Sequence, residues 1–184
     1  MSDVRDRVLD AARTLTATEG WSALTMARVA QRAGVSRQTV YAVAGDKSAL
    51  AEAMIAIELA GFLRAVQSAF DGRPPLRTAV RSAVRAVFRE ATASALLRAI
   101  ITADQAGHSD LLPLLTTRSD TVLAAATHVV GECLRPYARE APDRRIAVTA
   151  DIVVRTVLSH IMGSTAPDPV IADDLADAVV DLLH

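Results

Sequence analysis

Four residues with hydrogen-bonding side chains stand in a row, Ser36-Arg37-Gln38-Thr39. An arginine fork can bond O6 and N7 of guanine, and a glutamine amide can bond N6 and N7 of adenine, each in bidentate fashion. Hydroxyls, a tyrosine and a lysine suit phosphate oxygens instead, which set position rather than sequence. Thr25, Ser36, Thr39, Tyr41 and Lys47 supply that second chemistry. Base reading needs a helix start aimed into the major groove, and free N–H groups at such a start also attract anions. Lys47 is the sole lysine. It stands where a helix begins, a place the helix dipole makes unfavourable for a cation, so an anionic partner is expected for it. A plainer reading stands beside each of these. Arg37 and Gln38 are also ordinary exposed helix residues, Tyr41 can pack and still reach a phosphate, and Arg28 and Arg32 read as surface charges.

The elements that must position these residues are helical. Val4, Val8, Ala11, Ala12 and Leu15 share one helix face, with Glu19-Gly20 as its stop. Trp21 and Leu24 close the same small core. Thr25 can cap a helix from Met26 to Ala33, Gly34 breaks it, and Ser36 can cap a short helix to about Val43. The span Thr25 to Tyr41 therefore reads as a helix-turn-helix, with small or apolar Ala30, Gly34, Val35 and Val40 where the two helices cross. Ala44-Gly45 is a turn. Asp46 can cap a long helix that carries Leu50, Met54, Ile57 and Phe62.

Asp71-Gly72-Arg73-Pro74-Pro75 punctuates the chain. Beyond it, Val80, Val84 and Phe88 mark a helix from Leu76 to Ala91. Arg77, Arg81, Arg85 and Arg89 recur on that helix every four residues. They predict a solvated face, with a second DNA-contact surface as the weaker alternative. Leu96 to Thr102 is a compact apolar segment, and Gly107 to Pro113 a loop or helix boundary. A long helix follows to about Leu134, and prolines bracket two more, near Asp143–Met162 and Asp168–Leu183. The pattern is all-α.

Composition narrows the function classes. Of 184 residues, 51% are hydrophobic but only 3% aromatic, so the core is built from Ala, Val, Leu and Ile. Charges interrupt the apolar stretches, so no membrane span is expected, and the charged N-terminus does not read as a secretory signal. A single cysteine, Cys133, fits a reducing cytoplasm. Net charge is −1 overall, yet the first 50 residues carry seven basic and five acidic residues and the remainder 13 basic and 16 acidic. A mildly basic head on an acidic body is compatible with DNA binding. His108, His128, His160 and His184 share no ligand spacing, and no catalytic set or phosphate loop is present. No metal, cofactor or enzymatic activity is expected.

Residues 5–54 resemble the TetR family of bacterial regulators. The residues that carry the resemblance are Ala11-Ala12, Leu15, Gly20, Thr25, Val29-Ala30, Ala33-Gly34-Val35-Ser36, Thr39-Val40-Tyr41, and Lys47 followed by Leu50. One departure stands out. The family usually has an aromatic or large aliphatic residue three after the tyrosine and often a histidine two after it, where this chain has Ala44 and Val43. A possible phosphate contact is missing there, and the third helix must pack on the fourth in a different way, with Val43 replacing part of the volume.

The resemblance implies a helix-turn-helix head over residues 1–46 and an effector-binding and dimerisation domain over 47–184. It implies a double-stranded DNA operator, a small effector and a homodimer whose last two helices form a four-helix bundle. The helices near 143–162 and 168–183 agree, because the first is apolar on more than one stripe and the second has a strong apolar face. Val153, Val157, Ile161, Leu175, Val179 and Leu182 are the expected interface residues. Phe62, Phe88, Leu97, Ile100, Ile101, Leu115 and Val122 are expected pocket walls, with Arg98, Thr102, Asp104, Gln105 and His128 as polar groups that can orient a ligand. Such walls suit an apolar, acyl or lipid-like effector. Two other classes stay open: a helical lipid- or metabolite-binding protein whose head no longer binds DNA, and an all-α enzyme without an identified residue set.

Overall fold

The computed structural model describes residues 2–98, 119–163 and 169–184, which are helical with no strand among them. In chain order the helices are α1 (Ser2–Glu19), α2 (Met26–Ala33), α3 (Arg37–Ala44), α4 (Lys47–Phe70), α5 (Leu76–Ala93), α6 (Ser119–Leu134), α7 (Asp143–Gly163) and α8 (Pro169–Leu183). A single 3-10 turn, Arg135–Tyr137, follows α6. The chain divides into two compact units, Met1–Leu59 with Thr92–Arg118, and Ala60–Ala91 with Ser119–His184. The division does not follow a simple cut at residue 46. Both α4 and α5 run through a boundary, and the first unit gains a segment from after α5.

The first unit sets two eight-residue helices with strong local signals, α2 and α3, on the longer α1. Its core gathers Val8, Ala12, Leu15, Leu24, Val29, Val40, Leu50 and Met54, each at or near full burial. Leu96, which joins the same core, comes from the later segment. Ser94 starts the turn that delivers Leu96, because its hydroxyl accepts from Leu97 N–H at 3.1 Å. Buried Thr16 satisfies its own hydroxyl by donating to the Ala12 carbonyl at 2.9 Å. Arg13 on α1 pairs with Glu58 on α4 at 2.6 Å.

The second unit packs longer helices. α6 lies against α7, and α7 against α8. The buried residues of α7 include Ile146, Ala150, Val153, Val154, Val157 and Ile161, and those of α8 include Leu175 and Val179. Phe70 and Tyr137 meet edge to face with ring centroids 5.9 Å apart. The arginine stripe on α5 is neither simply solvated nor left free for DNA. Arg77 forks onto both oxygens of Asp177, Arg85 reaches Asp173 at 2.8 Å and Arg81 reaches it at 3.5 Å. Every-fourth spacing on two helices has produced a ladder of ion pairs between α5 and α8.

By length and composition alone α7 is long and apolar enough to cross a membrane, although Asp151 and Arg155 interrupt it. Its apolar residues have another use here. One face is buried within the unit, and Asp151 and Arg155 pair on the helix at 2.8 Å. Cys133 on α6 is half-buried, and burial first, then Asp71 and Glu132, push its thiol pKa up. A thiol held protonated in this way is a poor nucleophile.

Candidate nucleic-acid interface

The interface is assembled by caps. Thr25 sits in extended backbone and its hydroxyl accepts from Arg28 N–H at 3.3 Å, which starts α2. Gly34 ends it in the left-handed region at φ 67°. There Gly34 N–H donates to Gln31 O at 3.3 Å and Val35 N–H to Ala30 O at 3.1 Å. This paired closure needs a residue that tolerates positive φ, and half-buried Val35 packs on the core just after it. Two residues later Ser36 starts α3, its hydroxyl accepting from Thr39 N–H at 3.0 Å and lying 2.8 Å from the Thr39 hydroxyl. The turn between the helices is thereby fixed at both ends.

α3 then presents two different faces. Val40 and Ala44 are buried in the first unit, with Thr39 and Val43 half-buried beside them. Arg37, Gln38, Tyr41 and Ala42 are exposed, Tyr41 by 49%. The expected base readers Arg37 and Gln38 therefore share an open face with the tyrosine. Among the described residues neither side chain has an internal partner that would hold it back from a ligand. Exposed Thr25 and Ser36 already use their hydroxyls as caps, and Thr39 is tied to Ser36.

Lys47 has found a partner inside the chain. Asp46 caps α4 by accepting from Ala49 N–H at 2.8 Å, which leaves Lys47 at the first helical position. Its ammonium donates to the Trp21 carbonyl at 3.1 Å and sits 4.8 Å from the centre of the Trp21 ring. The unfavourable dipole is met by this carbonyl and ring face, so an anion is not required to explain the lysine. Arg28 is also used structurally. It pairs with Glu19 and donates to the Ala23 carbonyl at 3.1 Å, closing the connection between α1 and α2.

At the departure, Val43-Ala44, the small side chains still pack on the core. Ala44 is buried in the core and Val43 packs at its edge. Gly45 follows with φ 72° and ψ −146°, a conformation open only to glycine. A Cβ there would come within 2.8 Å of Ala49 Cβ on α4. Ala44 thus closes α3 against the core, and Gly45 makes the tight turn into the start of α4.

The expected effector residues are less clearly brought together. Phe88 is a packed core residue, Phe62 and Val122 are half-buried, and His128 is exposed, all in the second unit. Half-buried Leu97 and exposed Arg98 belong to the first unit. Ile100, Ile101, Thr102, Asp104, Gln105 and Leu115 lie outside the described residues. The expected dimer residues divide in an informative way. Val153, Val157, Ile161, Leu175 and Val179 are buried within the single chain, and only Leu182 is exposed, by 39%. The open apolar side chains on these helices are instead Val148 (49%), Ile152 (42%) and Met162 (38%) on α7 and Val170 (57%) on α8.

A capped helix pair with polar, unobstructed side chains at the start of its second helix defines a helix-turn-helix regulator. The sequence pattern described as bacterial regulatory proteins, tetR family, matches residues 8–54. The pattern described as bacterial tetracyclin repressor, C-terminal domain, matches residues 76–181. The chain belongs to the TetR family of bacterial transcriptional regulators. It is 33% identical to the HTH-type transcriptional regulator AlkX of Mycobacterium tuberculosis, over 94% of this chain and 82% of that one. It is similar to the TetR family repressor AlkX from a Dietzia species, implicated in biodegradation of n-alkanes, with TM-score 0.77, 27% identity and 96% of each chain covered. The Thermus thermophilus repressor FadR in complex with lauroyl-CoA shares the fold, with TM-score 0.65 and 20% identity over 97% of this chain and 92% of that one.

Proposed function

We propose that the chain is a ligand-responsive repressor that binds a pseudo-palindromic operator as a homodimer in the cytoplasm. A small apolar effector with an acyl or alkyl chain releases it. The open face of α3, with Arg37 and Gln38 at its start, carries the reading. Those two side chains read base edges, and Thr25, Ser36, Thr39 and Tyr41 hold phosphates through the hydroxyl capacity their internal bonds leave over. Lys47 contributes chiefly by holding the start of α4 to Trp21. The intact caps and the packed Ala44 favour a working head over a non-functional one.

Val148, Ile152 and Met162 on α7, with Val170 and Leu182 on α8, form the dimer face. Exposed aliphatic side chains on two adjoining helices are what a self-complementary interface needs. A two-fold dimer presents two copies of α3 and therefore demands paired half-sites. The chemistry of the effector follows from the aliphatic composition and from the likeness to a repressor implicated in n-alkane biodegradation. Its action requires that it bind one arrangement of the two heads better than the other.

The test is a selection of random DNA by the full chain, followed by titration of the selected complex with medium- and long-chain fatty acids and acyl thioesters. A palindromic site lost on adding one of these classes is expected. Selection of a site that none of them weakens would remove the apolar-effector reading and leave the DNA-binding one.

A further inference from the structure

We propose that Ala42 is a specificity-determining residue that reads a 5-methyl group, that of thymine, in each half-site of the operator. The inference rests on the DNA-binding reading above and goes beyond it in assigning a base contact to a residue with no polar atom.

The geometry of α3 carries it. At about 100° per residue, Ala42 stands about 200° round the helix from Val40 and the same from Ala44. Those two residues are the buried side of α3, so Ala42 faces directly away from the core. Gln38 precedes it by one turn on nearly the same outward line, and Tyr41 and Arg37 both lie to one side of that line, about 80° and 120° round the helix. All four are exposed. If the start of α3 enters the major groove, Gln38 and Ala42 point at its floor while Arg37 and Tyr41 reach toward one side.

A methyl side chain on that line has two effects. It lets the helix approach the bases closely, and it can contact only an apolar group. In the major groove the apolar group on a base edge is the thymine C5-methyl. One turn of α3 rises about 5.4 Å and a base step about 3.4 Å, so Gln38 and Ala42 stand over neighbouring base steps. Sequence reasoning passes over Ala42 because alanine on a helix carries no signal until its face is known.

The experiment uses the full-length protein and the operator it selects from random DNA. Each thymine is replaced in turn by deoxyuridine, which removes one methyl and leaves every hydrogen-bonding group in place. For the natural chain, one position per half-site is expected to lose about fourfold in affinity, the cost of exposing one methyl-sized group. Ala42→Gly is expected to bind thymine and uracil operators equally at that position. Ala42→Ser keeps the helix-forming Cβ should the glycine weaken α3, and is likewise expected to shrink the difference. Gln38→Ala should weaken binding yet keep the methyl effect. A methyl effect that persists in both residue-42 variants, or that occurs at no position, overturns the inference while the regulator stands. A chain that selects no DNA overturns both.

Discussion

The two units use helices in opposite ways. In the first, helices of eight residues are bounded by Thr25, Gly34, Ser36 and Gly45, and each has one buried face. In the second, helices of 15 to 21 residues bury long apolar faces, α7 also exposes Val148 and Ile152, and arginines of α5 pair with aspartates of α8. The first unit is defined by where helices start and stop. The second is defined by which face each helix turns inward. A short capped helix has one way to pack and leaves its recognition residues outside. A long helix apolar on two sides must bury one side at home and offer the other to a partner.

The sharpest way to break this contrast compares neighbours on α7. Val153→Asp would bury an unpaired carboxylate and should unfold the protomer, at a cost of several kcal/mol. Ile152→Asp, one residue away but 42% exposed, should leave the helical circular dichroism signal intact and shift the protein to monomer in sedimentation. If both behave alike, the division of α7 into a core face and a partner face is wrong. In the first unit, Leu96→Ala removes the core residue that, among the described residues, comes from beyond α5. It should cost about 2–5 kcal/mol by denaturant unfolding and weaken operator binding, although Leu96 touches no DNA.

Gly45→Ala tests the turn that joins α3 to α4. With φ 72° and Ala49 Cβ within 2.8 Å of the new atom, a loss of about 1–3 kcal/mol is expected, together with reduced operator affinity. Ser36→Ala removes the cap of α3 and should cost about 1 kcal/mol, again read in both unfolding and DNA binding.

The smallest effect lies in the α5–α8 ladder. Hydrogen bonding to Arg77 holds the Asp177 carboxyl below its ordinary pKa. The unfolded chain therefore binds more protons than the folded one across the carboxylate range. The stability this pair adds is present above that range and is lost as pH falls through it. Asp177→Asn should flatten the acid limb of a pH–stability curve slightly, and high salt should do the same to the natural chain. No change in operator affinity is expected, since the ladder answers its own charges.

Much of the first unit was legible because its signals are local. A threonine or serine ahead of a helix and a glycine after it act within four residues, so Thr25, Gly34 and Ser36 could be placed from spacing alone. Lys47 shows where that logic stops. Its charge at a helix start suggested an anion, and Trp21, 26 residues earlier in the chain, adds a partner that spacing does not reveal. The arginine stripe on α5 was equally visible as a pattern and equally mute about purpose, because its carboxylates sit 88 to 100 residues away.

By itself the sequence determined the all-α class, the helix-turn-helix from Thr25 to Tyr41 and the polar start of its second helix. These follow from caps, turns and helical period, which act between near neighbours. Only the tertiary structure decided which residues of the last two helices are interior, that Leu96 completes the head core, that Lys47 is held by Trp21, and that Ala42 faces outward from α3. Each depends on groups distant in the chain meeting in space, and periodicity shows that a face exists without showing what it meets.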